Sequence, residues 1–304
     1  MQKLKHDFIE LDNGESLFYS MRQGDGTPLV LLHGNLFSSV IFAPLIEALD
    51  NNITIISVDL RGFGKSTYHE EAKSVKTYSE DIKAFLDKLS IVRADILGID
   101  FGALIAMRLG VDHSKIIRAI IMLSSYSVAG RSIKQRKLGG LLKSKDPIKT
   151  LPEIEKYVAP VQKYKEKNQR WFIKQMLNKD IFTVDKPLDG LYEKLIDAFI
   201  AQRNLPEIYY AMTYFNIFSD DNGVVDGEHK AKTLNMPILS IHGDKNEAIP
   251  AGVAKFNERA IGKNVETHIL NGVSHVPFID DVKHVAKLVE IFRERLNQKN
   301  ENPG

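Results

Sequence analysis

The chain has 304 residues, 43% hydrophobic and 26% charged, which is the balance of an ordinary globular protein and excludes wholesale disorder, collagen and coiled coil. Lys and Arg number 41 against 39 Asp and Glu, and a net charge of +2 is too weak a field to recruit nucleic acid or anionic lipid. Cysteine is absent, which excludes disulfides, thiolate catalysis and Cys-based metal sites, and an N-terminus without an apolar leader core predicts a cytoplasmic protein with no membrane span.

The first 125 residues alternate strand-like and helix-like segments. Segments 6–11 and 15–21 flank Asp12-Asn13-Gly14, a hairpin signal. The apolar runs at 28–33, 53–58, 94–98 and 116–123 are too uniformly apolar for one-sided strands and predict central parallel ones. Helical spacing covers 40–49, 77–89 and 101–109, with Thr77-x-x-Glu80 as a capping box for the second. The pattern changes after Ser124, and 127–231 shows no clear strand. Fourteen Lys and Arg meet four Asp and Glu over 131–179, and four meet ten over 180–231, so solvated helix faces of opposite charge should pair. Strands at 237–242 and 265–270 and helices at 250–260 and 282–296 then resume the alternation, and 297–304 is a polar tail. The prediction is a mostly parallel α/β sheet flanked by helices, with a core of 1–126 and 232–304 and an inserted helical cap of 127–231.

Chemistry concentrates at loops that follow the strands. Gly98-Ile99-Asp100-Phe101-Gly102 joins a strand to a helix with a polar residue between crowded glycines, the pattern of a nucleophile elbow with Asp100 where Ser is usual. His33-Gly34-Asn35 follows the third strand, and the backbone N–H groups of Asn35 and Phe101 would form the oxyanion or leaving-group hole. His33 reads as a structural residue of that turn. Asn271-Gly-Val-Ser-His275 lies after the last strand, and His242-Gly-Asp-Lys-Asn246 after the one before. Gly64-Lys65-Ser66 imitates the end of a phosphate loop, but Asp59 stands where its first glycine belongs. No metal-ligand cluster or cofactor fingerprint is present, so a small-molecule substrate without cofactor is expected. Nothing in the sequence specifies an oligomeric state.

These elements resemble the α/β-hydrolase fold superfamily over nearly the whole chain. The stretches at His33–Ser39 and Asp59–Ser66 are similar to those of intracellular polyhydroxyalkanoate depolymerases, which are serine hydrolases. Two departures follow. Asp100 resembles the aspartate nucleophile of haloalkane dehalogenases and epoxide hydrolases, and Asn35 the halide-holding Asn of the former, although Phe101 replaces the usual Trp. The acid position behind His275 holds Asn246. The resemblance implies a hydrolase with Asp100 as covalent nucleophile, His275 as base and Asn246 orienting it, acting on a small, mostly apolar electrophile. Epoxide chemistry would add two tyrosines from among Tyr157, Tyr164, Tyr192, Tyr209, Tyr210 and Tyr214. Asp244, Glu247, Asp220, Asp221 and Asp226 are carboxylates that could stand in behind His275, whereas the alternative acid position holds Ser124 and Ser125. The alternative is a serine-esterase scaffold with nucleophile and acid replaced, inactive or ligand-binding, in which Asp100 and His275 form a buried ion pair.

Overall fold

A computed structural model describes residues 4–137 and 142–301. Eight strands form one sheet in the order β1 (Lys5–Glu10), β2 (Ser16–Arg22), β4 (Ile53–Val58), β3 (Asp25–Leu32), β5 (Ala94–Ile99), β6 (Ile117–Leu123), β9 (Ile238–Gly243) and β10 (Val265–Leu270). The hairpin of β1 and β2 and the β2–β4 pair are antiparallel, and every pairing from β4 to β10 is parallel. The parallel strands are apolar on both faces because helices cover both. On one face α2 (Val75–Lys88), α3 (Phe101–Asp112) and α8 (Gly252–Ile261) bury Ile82, Phe85, Leu104 and Ala260, with α3 over β5 and β6 and α8 over β9 and β10. On the other, α1 (Ala43–Ala48) and α10 (Val282–Glu301) bury Leu45, Val285, Val289 and Phe292. The crossovers bring the strand-end loops after β3, β5, β6, β9 and β10 to one edge, where open α/β sheets bind ligands.

Between β6 and β9 the chain leaves the sheet and forms α4 (Leu151–Glu166), α5 (Arg170–Asp180), α6 (Asp189–Ala201) and α7 (Leu205–Tyr214). The opposite charge blocks do meet: Arg170 bonds Asp197 at 2.6 Å and Glu193 at 2.5 Å. These pairs are solvated and contribute little each. One small apolar cluster, with Ile154, Val158 and Leu205, holds α4 and α7 together.

Four local expectations need correction. The 127–231 segment is not strand-free, because β7 (Lys134–Lys137) and β8 (Leu142–Pro147) pair antiparallel. Lysine-rich sequence hides the hairpin from an apolar-periodicity test. The second helix starts earlier than Thr77, with Ser74 as N-cap accepting from the Thr77 amide, so Thr77 and Glu80 form no capping box. The turn before α1 opens as a 3₁₀ segment, Ser39–Phe42. Helix α10 runs through the polar tail to Glu301, and 302–304 lie outside the described residues. Among those residues no helix is long and apolar enough to cross a membrane.

Candidate active site

The elbow is built by crowding. A Cβ on Gly98 would sit 2.3 Å from the Gly102 carbonyl oxygen, and one on Gly102 would sit 2.1 Å from that of Leu32. Side chains are therefore excluded on both sides, and α3 packs directly on β3 and β5. Asp100 between them is held at φ 55°, ψ −117°, a conformation a non-glycine residue adopts at a cost of about 1–3 kcal/mol. That backbone turn lifts its carboxylate out of the sheet at the head of α3, where helix polarity favours negative charge.

The two carboxylate oxygens have different surroundings. Oδ1 accepts from the Phe101 amide at 2.6 Å and from the Asn35 amide at 3.0 Å. Oδ2 lies 3.3 Å from His275 Nε2. Both side chains are buried, 2% exposed for His275 and 9% for Asp100. Gly34 is close to the carboxylate for the same reason as the elbow glycines: its Cβ would meet Asp100 Cβ at 2.6 Å. His33 fixes this turn from below. Its Nδ1–H donates to the Gly34 carbonyl at 2.8 Å and its Nε2 accepts from the Leu60 amide at 3.0 Å. Burial lowers its pKa, so the ring stays neutral in that tautomer.

Behind His275, Nδ1 donates to Asn246 Oδ1 at 3.2 Å. The same oxygen accepts from the Ile249 amide at 2.9 Å. On its other side, Asn246 Nδ2 faces His242 Nε2 at 3.2 Å, while that nitrogen is 2.7 Å from the Ile249 carbonyl oxygen. Only a protonated nitrogen approaches a carbonyl so closely, so Nε2 already spends its proton, and the Asn246 amide N–H points at a nitrogen that cannot accept. The donors facing residue 246 are thus two, Ile249 N–H and His275 Nδ1–H, and its amide N–H has no acceptor in His242 Nε2. These surroundings match a carboxylate better than the amide. Asp244, Glu247, Asp220, Asp221 and Asp226 do not replace it, since among the described residues the ring of His275 meets Asp100 and Asn246. Asp244 instead accepts from the Gly272 amide at 2.7 Å. Ser125 is turned away to the Tyr126 carbonyl.

His242 gives the fold a pH dependence. Burial, reinforced by His275, lowers its pKa from 6.5 to about 4. Between those values the unfolded chain binds a proton that the folded one does not. Stability is then full above about pH 6.5 and falls as pH drops through the window, by about 3 kcal/mol. Urea midpoints followed from neutral pH down to about pH 4 should decline for the native chain and decline less for His242→Gln.

Above the carboxylate a cavity of about 910 Å³ opens between the strand-end loops and the 127–231 segment. Its lining includes Asn35, Asp100, Tyr126, Arg131, Tyr157 and Tyr209. Of the six tyrosines with a candidate role, Tyr157 and Tyr209 face it, with rings 5.9 Å apart and edge-on. The others pack elsewhere: Tyr164 on Phe172, Tyr192 on Phe182, and Tyr210 on Tyr214. Asn35 Oδ1 accepts from Gln202 Nε2 at 2.8 Å, which turns the Asn35 amide nitrogen toward the cavity. Burial and the nearby Asp100 raise the Tyr126 phenol well above its ordinary pKa, so it remains a donor.

Sequence reasoning passed over four of these residues. Tyr126 and Arg131 lie directly after β6, at the strand-end edge, and that position was the available signal. His242 sits inside the quoted His242–Asn246 stretch. Gln202 carries no signal, because only the packing of α6 on the Asn35 turn brings it in. Arg61 of the glycine-rich loop is structural, bonded to Asp81 at 2.7 Å and beside Glu15. No group of three or more His, Asp or Glu among the described residues could hold a metal.

Comparison with known proteins agrees with this architecture. The pimeloyl-[acyl-carrier protein] methyl ester esterase of Aeromonas hydrophila is 24% identical over 280 residues, 89% of this chain and 97% of its own. A soluble epoxide hydrolase of Corynebacterium sp. is 30% identical over 111 residues, 36% of this chain and 38% of its own. An esterase from Exiguobacterium antarcticum superposes with a TM-score of 0.73 at 17% identity, covering 95% of this chain and all of that one. The family description "alpha/beta hydrolase fold" matches residues 27–282, which contain every parallel strand from β4 to β10, most of β3, the elbow and the histidine loop. The chain belongs to the α/β-hydrolase fold family.

Proposed function

We propose that the protein is a hydrolase that opens a carbon–halogen or epoxide carbon–oxygen bond through an ester on Asp100, under a cap formed by 127–231. The observation that carries the reading is the unequal placement of the two Asp100 oxygens, Oδ1 against the Asn35 and Phe101 amides and Oδ2 toward His275 and the cavity. Oδ2 attacks an sp³ carbon from the cavity. The carbon–halogen bond breaks and halide leaves toward the Asn35 amide nitrogen. With an epoxide, the opened oxygen takes a proton from a phenol at the Tyr157–Tyr209 pair. His275 Nε2 then removes a proton from water, whose oxygen adds to Asp100 Cγ. The negative charge develops on Oδ1, which the two amides already hold. Collapse expels the product alkoxide, which His275 reprotonates. The Asp100 carboxyl left behind gives its proton to the tyrosine phenolate in the epoxide reaction or to solvent in the halide reaction, which restores the carboxylate.

A serine-type attack on an ordinary ester fits the site less well. Asp100 Oδ1 occupies the hole that the acyl oxygen would need, and a carboxylate attacking an ester would leave an activated anhydride. The likeness of 33–39 and 59–66 to serine depolymerases is explained by the turns they build. His33, Asp59 and Arg61 support the hole and the loop after β4 whichever residue stands at 100.

The test is intact-mass spectrometry with peptide mapping after exposure to small alkyl halides and epoxides. An adduct of one substrate mass on Asp100, absent in Asp100→Asn, is the expected result. Neither adduct nor turnover across the panel would favour the inactive or ligand-binding scaffold, with the 3.3 Å Asp100–His275 contact then a resting ion pair.

A further inference from the structure

The cavity is not the apolar chamber expected for a hydrocarbon halide or epoxide. Arg131 stands in its wall. The segment before it is fixed: Ser127 and Gly130 close a tight turn, Gly130 has φ 74°, and a Cβ there would lie 2.1 Å from the Phe215 carbonyl oxygen. The Arg131 amide itself donates to the Met212 carbonyl at 2.9 Å. The guanidinium is then clasped by aromatics. Nη1 donates to the Tyr126 hydroxyl at 2.8 Å, and the group lies 5.2 Å from the Tyr126 ring centre and 4.9 Å from that of Tyr209.

This arrangement orients a cation without neutralising it. Among the described residues no carboxylate comes within ion-pair distance of Arg131; Nη1 donates to Tyr126, and the Tyr209 hydroxyl lies close enough to interact as well. Burial disfavours the charge, but the surrounding phenols and Asp100 keep it protonated. A half-buried guanidinium facing the cavity, with donors beyond the one given to Tyr126, gains from a ligand that takes them. Besides Asp100, the cavity is lined by the acids Glu153, Asp180 and Glu247, of which Asp180 and Glu247 are exposed, and by Lys156, whereas Arg131 adjoins the buried Tyr126 and Asp100. The depth of the cavity is therefore where an incoming anion finds a partner.

We infer that Arg131 is a substrate-binding residue that anchors a carboxylate of the substrate, so the enzyme acts on a short electrophile bearing both a carboxylate and the carbon attacked by Asp100. The inference rests on the proposed use of Asp100. The carboxylate occupies the free guanidinium edge, two N–H donors wide, which suits a planar oxyanion. Arg131 also offsets the repulsion between that carboxylate and Asp100. The rigid Gly130 turn and the Tyr126 and Tyr209 faces set the guanidinium, and hence the reacting carbon, at one distance from Oδ2.

Calorimetric titration with unreactive pairs, butanoate against butanamide and 3-phenylpropanoate against its amide, tests this without turnover. The native protein should prefer each carboxylate by about 10-fold to 100-fold, the range of a charge-assisted hydrogen bond. Arg131→Met should lose the preference, and Arg131→Lys should keep part of it, with the thermal midpoint of each variant checking the fold. Asp100→Asn, which cannot form an ester, should retain the preference and strengthen it, because a negative charge is removed. No preference in the native protein, or one undiminished in folded Arg131→Met, overturns the inference. A carboxylate preference without any adduct on Asp100 would sink the nucleophile reading and leave the anion site standing. Adducts from neutral halides with no carboxylate preference would do the reverse.

Discussion

Asn246→Asp should accelerate breakdown of the Asp100 ester by about 10²- to 10⁴-fold. The lower figure allows for the cost of burying a charge, and the upper is the loss seen when a serine protease exchanges Asp for Asn behind its histidine. When His275 takes the proton from water it becomes a cation 3.2 Å from a neutral amide oxygen, and among the described residues its one ion-pair partner is Asp100 on the opposite side. A carboxylate would stabilise that cation where the amide only orients the ring. The position is already furnished for it, because Ile249 N–H and His275 Nδ1–H both point at the residue 246 oxygen. Asp would remove the mismatch between the Asn246 amide N–H and the His242 nitrogen, 3.2 Å apart. Formation of the ester needs no imidazolium and should change little. Quenched-flow mass spectrometry separates the two steps. The native chain should accumulate ester and the variant should not. Equal decay rates would show that Asn246 is not what slows the site.

Gly102→Ala should cost more than about 4 kcal/mol, enough to abolish folding of a domain of ordinary stability. Its Cβ would lie 2.1 Å from the Leu32 oxygen and 2.7 Å from that of His33, both main chain of a central strand and its turn. Neither can yield without separating α3 from the sheet. Gly190→Ala, in α6 with nothing within 4 Å of the added carbon, is the control and should be neutral or slightly stabilising. Soluble yield and denaturant midpoints of the two variants check the contrast. A folded Gly102→Ala within about 1 kcal/mol of native would mean that the elbow is looser than its contacts imply.

The parallel sheet was legible because its strands are buried on both faces, and mostly apolar runs such as Ile117–Leu123 have few other uses. The loops of the candidate site were legible for a related reason. Glycines at 98 and 102 and the strand-end positions of Asn35, Asp100, Asn246 and His275 are demanded by local backbone geometry, which is written in neighbouring residues. What could not be read depends on tertiary packing. The β7–β8 pair lacks apolar alternation, so no period announces it. Arg131 looked like one member of a solvated charge run, and only the turn at Gly130 carries it inward. Tyr157 and Tyr209 could not be separated from four other tyrosines, since which face of α4 or α7 meets the cavity depends on how those helices pack. The His242–Asn246 relation was likewise hidden: its members were quoted together, but their hydrogen-bond polarity exists only once Ile249 closes the loop.

The join between α6 and α7 does more than connect two helices. Gln202 bonds the Asn35 side chain, the Arg203 amide donates to the Gly62 carbonyl, and Asn204 donates to the Arg61 carbonyl and the Tyr78 hydroxyl. Three successive residues are thus riveted to the turn that makes the anion hole and to the loop after β4. The α6–α7 join and the Asn35 turn are mechanically coupled. A displacement of α6 and α7 at this point would carry Asn35 with it and detune the hole, because residues 202–204 are bonded to that turn and to the loop after β4. Substitutions that tilt α6, though far from any reacting atom, would register as slowed chemistry and not as weakened binding.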